Sequence, residues 1–250
     1  MIKIGIVGCG FVGGALKSWL ENHTDHQLFI SDPAKGYNDS LENIDVAFIQ
    51  IHIKTEEDGT QNLDTMKKII LNLPHVPVFV RTTILPGTSE LLSKETDHEV
   101  FYMPEFLTER TYLEDFEKQS MIFTGYYDLL EKIFIGKKHI NMNPLEAELT
   151  KYMHNVFGAY KVTYFNACKE YCELLNVNWN SVHDAMLLSG YINDTHTYVP
   201  GPDGKCGYGG KCFPKDVNAF AKTTEGTSLG TLLAPLHDLN VHFRGYEEHI

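Results

Sequence analysis

Positive charge is scarce in this chain: 21 Lys and Arg stand against 33 Asp and Glu, a net charge of −12 over 250 residues. The basic residues are scattered, so nothing resembles an electrostatic footprint for a nucleic-acid backbone or an anionic membrane surface. Long hydrophobic runs are missing too. None approaches the roughly 20 residues of a bilayer span, and the first residues enter a strand pattern directly, without a charged-then-apolar leader. We therefore expect a soluble, cytoplasmic protein that binds neither nucleic acid nor membrane. Cysteine is sparse, with five residues and no Cys-x2-Cys pairing, which argues for reduced thiols and against a disulfide framework or a metal site. What is plentiful is apolar: 43% hydrophobic residues, with 14 Phe and 13 Tyr, exclude global disorder and suit one large domain or two modest ones.

Along the first half, β-branched runs alternate with helical patterns. Strands are expected at 2–7, 28–31, 46–51, 76–82, 100–103 and 121–124, with helices at 12–21, 63–71, 88–93 and 127–134. This alternation predicts an α/β fold, a Rossmann-type doubly wound parallel sheet, over residues 1–143. After Asn143-Pro144 the texture changes to a mainly α-helical central domain, 144–250. Leu149, Tyr152, Met153, Val156, Ala159 and Tyr160 recur at helical steps within one long spine helix from 145 to about 175. Further helices are expected at 181–188 and 229–242, separated by a Gly- and Pro-rich loop, 191–214, too long to be mere connection. No internal repeat or low-complexity tract is visible.

Gly8-Cys9-Gly10-Phe11-Val12-Gly13 closes the first strand and opens the first helix. In that context the glycines permit a tight turn and close backbone approach, and the helix N-terminus faces a pyrophosphate. Asp32, at the end of the second strand, can accept hydrogen bonds from both ribose hydroxyls and would repel a 2′-phosphate, which favours NAD over NADP. The cofactor-binding set is Gly8, Gly10, Phe11, Val12, Gly13, Asp32 and Lys35.

A second constellation lies in Gly207-Tyr208-Gly209-Gly210-Lys211-Cys212-Phe213-Pro214-Lys215-Asp216. A cysteine among lysines, just before a helix start at Pro214, has surroundings that stabilise thiolate, whose free pKa is about 8.5. Cys212 is thus either a nucleophile or a buried structural residue. Lys151 and Asn155, at i and i+4, share one helical face and either donate to one developing oxyanion or are a solvated Lys beside an incidental Asn.

Four segments together resemble the ordered signatures of the UDP-glucose/GDP-mannose dehydrogenase family: Arg81 to Gly87 (Arg-Thr-Thr-Ile-Leu-Pro-Gly), Met103 to Glu109 (Met-Pro-Glu-Phe-Leu-Thr-Glu), Glu148 to Asn155, and Gly207 to Asp216. The resemblance implies an NAD-dependent, four-electron oxidation of a nucleotide-sugar primary alcohol to a carboxylate, by default UDP-glucose to UDP-glucuronate. Cys212 matches the catalytic cysteine, which captures an aldehyde as a thiohemiacetal and carries the thioester that water hydrolyses. Lys151 and Asn155 match the family's charge-stabilising pair. Asp216 and Thr83 match groups that position or deprotonate the water, and Glu109 the partner for thioester hydrolysis. Thr83 and Glu105 join the cofactor contacts, Glu105 alternatively orienting its loop. The substrate-binding set is Glu105, Phe106, Leu107, Lys151, Asn155, Tyr198 and Gly209. The family also implies a homodimer, built here through the long helix.

Departures from the family pattern are expected to matter. Family members are longer and finish with a second Rossmann-like, nucleotide-binding domain, expected to be absent here or supplied by a partner protein. Ile53-Lys54, after His52, replaces a Thr-Pro pair, although Glu57-Asp58-Gly59 fits the pattern. The stretch 197–206 is long, and His196, Tyr198, Lys205 and Lys211 either reach phosphate and sugar oxygens or are ordinary loop residues. Cys206, close in sequence to Cys212, raises a reversible disulfide; Cys168 and Cys172 belong to the core or a subunit contact. Two other readings stay open: a dehydrogenase of a smaller hydroxy substrate, and a non-catalytic NAD-binding subunit that needs a partner.

Overall fold

The computed structural model describes residues 1–56 and 58–245, so Glu57 lies outside the described residues. The chain divides into two compact units. One comprises Met1–Lys54 and Gln61–Lys151; the other takes Thr55–Thr60 and the chain from Tyr152 onward.

The first unit runs β1 (Lys3–Val7), α1 (Phe11–His23), β2 (Gln27–Asp32), a 3₁₀ turn (Pro33–Lys35), β3 (Tyr37–Asn38), β4 (Val46–Ile49), α2 (Asp64–Leu71), β5 (Val78–Val80) and α3 (Thr88–Thr96). It continues with β6 (Val100–Tyr102), α4 (Tyr112–Lys118), β7 (Met121–Phe123), α5 (Tyr127–Ile133), β8 (His139–Asn141) and the start of α6 (Pro144–Leu174). Six strands form a sheet in the order β3-β2-β1-β4-β5-β6, parallel throughout except for antiparallel β3. Val46-Ala47-Phe48-Ile49 and Val78-Phe79-Val80 are wholly buried because helices cover both sheet faces. Alternation sends Ile4, Ile6, Phe48 and Phe79 to one face, against Leu16, Trp19 and Phe134, and Val7, Ala47, Ile49, Val78 and Val80 to the other, against Ile70 and Leu92. β2 lies on one side of β1 and β4 on the other, which makes the carboxyl end of β1 a topological switch point, where open α/β sheets form their ligand crevice.

The strand expected at 121–124 forms as β7 but pairs with β8 in a separate two-stranded parallel sheet. All of β8 is exposed, so no apolar run marked it. Helix α6 begins at Asn143-Pro144 for a local reason. Asn143 Oδ1 accepts from the Glu146 N–H at 2.9 Å, and the Asn143 N–H donates to Glu146 Oε2 at 2.9 Å, a reciprocal capping box with proline at the first helical position.

The second unit is helical: the rest of α6, then α7 (Trp179–Leu187), α8 (Phe213–Thr223), α9 (Ser228–Leu233) and α10 (Leu236–Arg244). The single helix expected at 229–242 is therefore two, interrupted at Ala234-Pro235, where proline lacks the N–H that a continuing helix would use. The apolar positions read as one face of α6 fall on two. Tyr152, Val156 and Ala159 are buried, whereas Met153 and Tyr160 are exposed. Cys172, Phe165, Trp179 and Val199 form an apolar cluster with Cys168, Met186 and Cys206 against it, which gives Cys168 and Cys172 their core role. Neither Cys206 nor Cys212 is in a disulfide.

Candidate active site

Three glycines shape the turn after β1, each for a separate reason. Gly8 has φ +84°, and a Cβ there would stand 2.5 Å from the Gln50 carbonyl oxygen; a Cβ on Gly13 would stand 2.0 Å from that of Gly8. Gly10 instead faces open space, with nothing within 4 Å of where its Cβ would be. Helix α1 starts there with neither a capping side chain nor an acidic residue in its first turn. This bare, electropositive helix end beside a small-residue cradle fits a dinucleotide pyrophosphate. Asp32 Oδ2 accepts from the Cys9 N–H at 2.7 Å, and Lys35 Nζ donates to the Cys9 carbonyl at 2.7 Å, so both side chains border the turn. Phe11 meets Tyr112 edge-on, with ring centroids 6.4 Å apart, and Val12 is half-buried on α1. Gln50, which no motif singled out, donates to the carbonyls of Val7, Gly8 and Phe48 and braces the turn from β4's end.

In the same unit, Lys151 and Glu105 are buried together. Lys151 Nζ lies 2.9 Å from Glu105 Oε1, donates also to the Glu105 carbonyl, and stands 5.4 Å from the Phe106 ring centroid. Glu105 Oε2 in turn accepts from the Leu107 N–H at 2.7 Å, so one carboxylate organises the turn that carries Phe106 and Leu107. Arg81 is almost wholly buried near this acid; burial pushes its pKa down to about 10, with the Glu105 charge opposing the fall, and it remains a cation at neutral pH. Thr83 is buried and Glu109 exposed.

In the second unit, Cys212 is half-buried at the N-cap of α8, and its carbonyl accepts from the Asp216 N–H at 3.0 Å. Asp216 is buried and held from two sides: Asn155 Nδ2 donates at 2.7 Å and Lys215 Nζ at 2.5 Å. Phe213, beside the cysteine, seats on Gly158 of α6, where a Cβ would stand 2.7 Å from its ring. Tyr198 is 57% exposed, with its ring 4.9 Å from that of His183, and His196 packs edge-on against Phe213 at 5.2 Å. Lys205 and Lys211 are exposed. Gly209 sits in the cysteine loop with no room for a Cβ, since Arg244 Nη2 would stand 2.2 Å from it.

Residues 145–240 match the central domain of the UDP-glucose/GDP-mannose dehydrogenase family. Over these residues the chain carries that family's central domain. The matched span contains Lys151, Asn155, Cys212 and Asp216 and ends at Asn240. A UDP-glucose 6-dehydrogenase of Rhizobium meliloti (strain 1021) is 31% identical over 234 residues, 80% of this chain and 52% of that relative. A GDP-mannose 6-dehydrogenase of Pseudomonas putida is 29% identical over 234 residues, 82% of this chain and 52% of that relative. The chain thus spans about half the length of the curated relatives it matches. The structure of a UDP-glucose dehydrogenase from the hyperthermophilic archaeon Pyrobaculum islandicum shares the fold, with a TM-score of 0.79 at 22% identity over 97% of this chain and 68% of that one. Among the described residues no helix is long and apolar enough to cross a membrane, and no group of three or more His, Cys, Asp or Glu side chains could hold a metal ion.

Proposed function

We propose that the protein is an NAD-dependent oxidoreductase that converts the primary alcohol of a nucleotide sugar to a carboxylate, with UDP-glucose as the first substrate to try. The observation that carries this reading is the arrangement in the second unit: a thiol at the N-cap of α8, with a buried carboxylate one turn on that is hydrogen-bonded to Asn155. Gly8, Gly10, Phe11, Val12, Gly13, Asp32 and Lys35 would hold NAD, which when bound supplies the hydride acceptor for each two-electron oxidation.

The chain's own residues do the rest. Once the alcohol has lost a hydride and a proton, the Cys212 thiolate adds to the aldehyde carbon, and the new S–C bond leaves a hemiacetal oxygen that takes a proton. Loss of a second hydride and that proton yields a thioester. Water then attacks the acyl carbon, the C–S bond breaks, and carboxylate and thiolate part. A helix N-terminus favours the thiolate at the start and end of this sequence. Lys151 and Asn155 donate to the oxygen as negative charge develops. Asp216, with Thr83, positions or deprotonates the water; Glu109 is assigned to thioester hydrolysis, and Glu105 to orienting Phe106, Leu107 and Lys151 around substrate and cofactor. Tyr198 and Gly209 complete the proposed sugar contacts. The chemistry suits a reducing compartment such as the cytoplasm, where the thiol persists.

The second partner we propose is another copy of the chain. Met153, Phe157, Tyr160, Tyr164, Tyr171 and Leu174 form an exposed apolar stripe along α6, roughly 30 Å long at helical rise. Such a stripe pairs with itself about a two-fold axis.

The decisive experiment measures NADH released per UDP-glucose consumed by the purified chain. Two per sugar is the expected result. No release, with NAD bound, overturns the reading in favour of another substrate or a non-catalytic NAD-binding role.

A further inference from the structure

The cysteine loop is gripped by a helix that the proposed chemistry does not use. Asn240 and Arg244 lie one turn apart on α10, and both turn their polar groups onto the backbone upstream of Cys212. Asn240 is 5% exposed; its Oδ1 accepts from the Tyr208 N–H at 2.7 Å and its Nδ2 donates to the Tyr208 carbonyl at 3.0 Å. From α6, Asn166 Oδ1 accepts from the Gly207 N–H at 3.0 Å. The Arg244 side chain is 5% exposed, reaches the carbonyls of Cys206 and Gly207 with Nη1 at 3.3 and 3.4 Å, and pairs through Nη2 with Asp203 at 2.6 Å. The Tyr208 hydroxyl closes the arrangement by donating to the Leu236 carbonyl at 3.2 Å.

The glycines of the loop fit this grip. A Cβ on Gly207 would stand 2.5 Å from Asn240 Oδ1, and one on Gly209 would stand 2.2 Å from Arg244 Nη2. The two residues are bare on the sides that α10 occupies. Side-chain hydrogen bonds thus satisfy successive backbone groups from Cys206 to Tyr208 that regular secondary structure would otherwise have to satisfy. Downstream, α8 fixes Cys212 through its own first turn. Only Gly209, Gly210 and Lys211 separate the gripped segment from Cys212, with Gly210 at φ +75°.

We propose that Asn240 and Arg244 are positioning residues for Cys212, setting where the thiol stands by holding the loop backbone, and that Arg244 ties this loop to the turn Gly201–Lys205 through Asp203. The proposal rests on the reading of Cys212 as nucleophile, and its test is chosen to separate the two.

The test compares Asn240→Ala, Arg244→Ala and Arg244→Lys with the parent chain by two measurements. The first is the rate at which iodoacetamide alkylates Cys212, followed by mass spectrometry of its peptide across pH; the second is steady-state oxidation of UDP-glucose. A freed loop should alkylate several-fold faster with a shifted pH midpoint, while kcat falls about tenfold or more and KM changes little, because misplacement by about 1 Å costs that much. Arg244→Lys, which keeps the charge facing Asp203 but not the forked donor, should recover part of both. NAD affinity and thermal melting report folding. Should an α10 variant fail to fold, Asp203→Asn loosens the same grip from the exposed side of the loop. Unchanged alkylation and unchanged kcat in folded variants overturn the proposal, as does an activity loss that tracks melting while Cys212 alkylates at the parent rate. Alkylation needs no substrate, so absence of UDP-glucose oxidation in the parent chain would count against the functional reading while the grip is still tested.

Discussion

Lys151 and Glu105 form a buried ion pair, Nζ to Oε1 at 2.9 Å, with side chains 3% and 5% exposed. Two desolvated charges of this kind repay their burial only while both are present. Lys151→Ala should therefore cost about 3–5 kcal/mol, since it strands the Glu105 carboxylate, whereas a Lys151→Met, Glu105→Gln double variant should lose much less. Urea unfolding of the parent, Lys151→Met, Glu105→Gln and the double variant measures the coupling, with Lys151→Ala run beside them. A Lys151→Ala loss under about 1 kcal/mol would mean that the pair is solvated and that Lys151 is free to serve substrate alone.

This pairing also marks how far the sequence can be read. The glycine turn after β1 is legible because its glycines obey local geometry: Gly8, just past the strand, needs a positive φ, and Gly13, in the first turn of the helix, needs a bare Cα against Gly8, in elements that periodicity reveals. The change of texture at Asn143-Pro144 marks the start of α6, and the folded chain adds Glu146 as the other half of the cap. Glu105 and Glu109 could not be separated that way. They stand four residues apart in one motif, and only the folded chain buries the first and exposes the second. Asn240 and Arg244 gave no signal at all, since a polar pair at i and i+4 reads as a solvated helix face until the cysteine loop is packed against it. β8 has no sequence signature, because its three exposed residues carry no hydrophobic pattern.

Cys212→Ser isolates the proposed covalent role. Cys212 occupies the N-cap of α8 without a side-chain capping bond. Serine is a good N-cap, so the variant should fold as well as the parent or better by about 0.5–1 kcal/mol. Its hydroxyl is a poor nucleophile at neutral pH, and acid formation from UDP-glucose should fall by about a thousandfold with NAD affinity intact. Sustained glucuronate production, read by mass spectrometry, would remove the thioester from the mechanism.

Asp32→Ala tests the proposed ribose contact. Its carboxylate borders the glycine turn and accepts from the Cys9 N–H. Loss of charge-assisted hydrogen bonds worth about 1.5–3 kcal/mol should weaken NAD binding by roughly tenfold to a hundredfold and narrow its preference over NADP. Calorimetric titration with both cofactors checks this, and an unchanged NAD affinity would remove the assignment.

Phe157→Glu tests the proposed self-association. Phe157 is 67% exposed in the middle of the α6 stripe, so a charge there costs the folded monomer little. At a two-fold interface the same substitution faces itself or apolar neighbours twice, which should shift sedimentation from dimer to monomer at micromolar concentration. A parent chain that sediments as a monomer would leave the stripe without this partner.

Glu148 provides a pH signature within the first unit. It caps the start of α3, accepting from the Gly87 N–H at 2.5 Å, the Ser89 N–H at 2.8 Å and the Ser89 hydroxyl at 2.5 Å. Burial nevertheless raises its pKa above the ordinary 4.5, outweighing those hydrogen bonds, and the charge of Glu90 acts in the same direction as burial. The folded chain therefore binds more protons at this site than the unfolded chain does, and stability must decline as pH rises from about 4.5 through the raised folded value. Glu148→Gln cannot titrate. Its stability relative to the parent should consequently improve as pH climbs through that window, although the amide loses an acceptor at α3 and leaves the variant the weaker of the two under acid conditions. Chemical denaturation of both chains between pH 4 and about 8 reads the difference directly, and a constant gap across that range would mean that Glu148 ionises in the folded protein as it does in water.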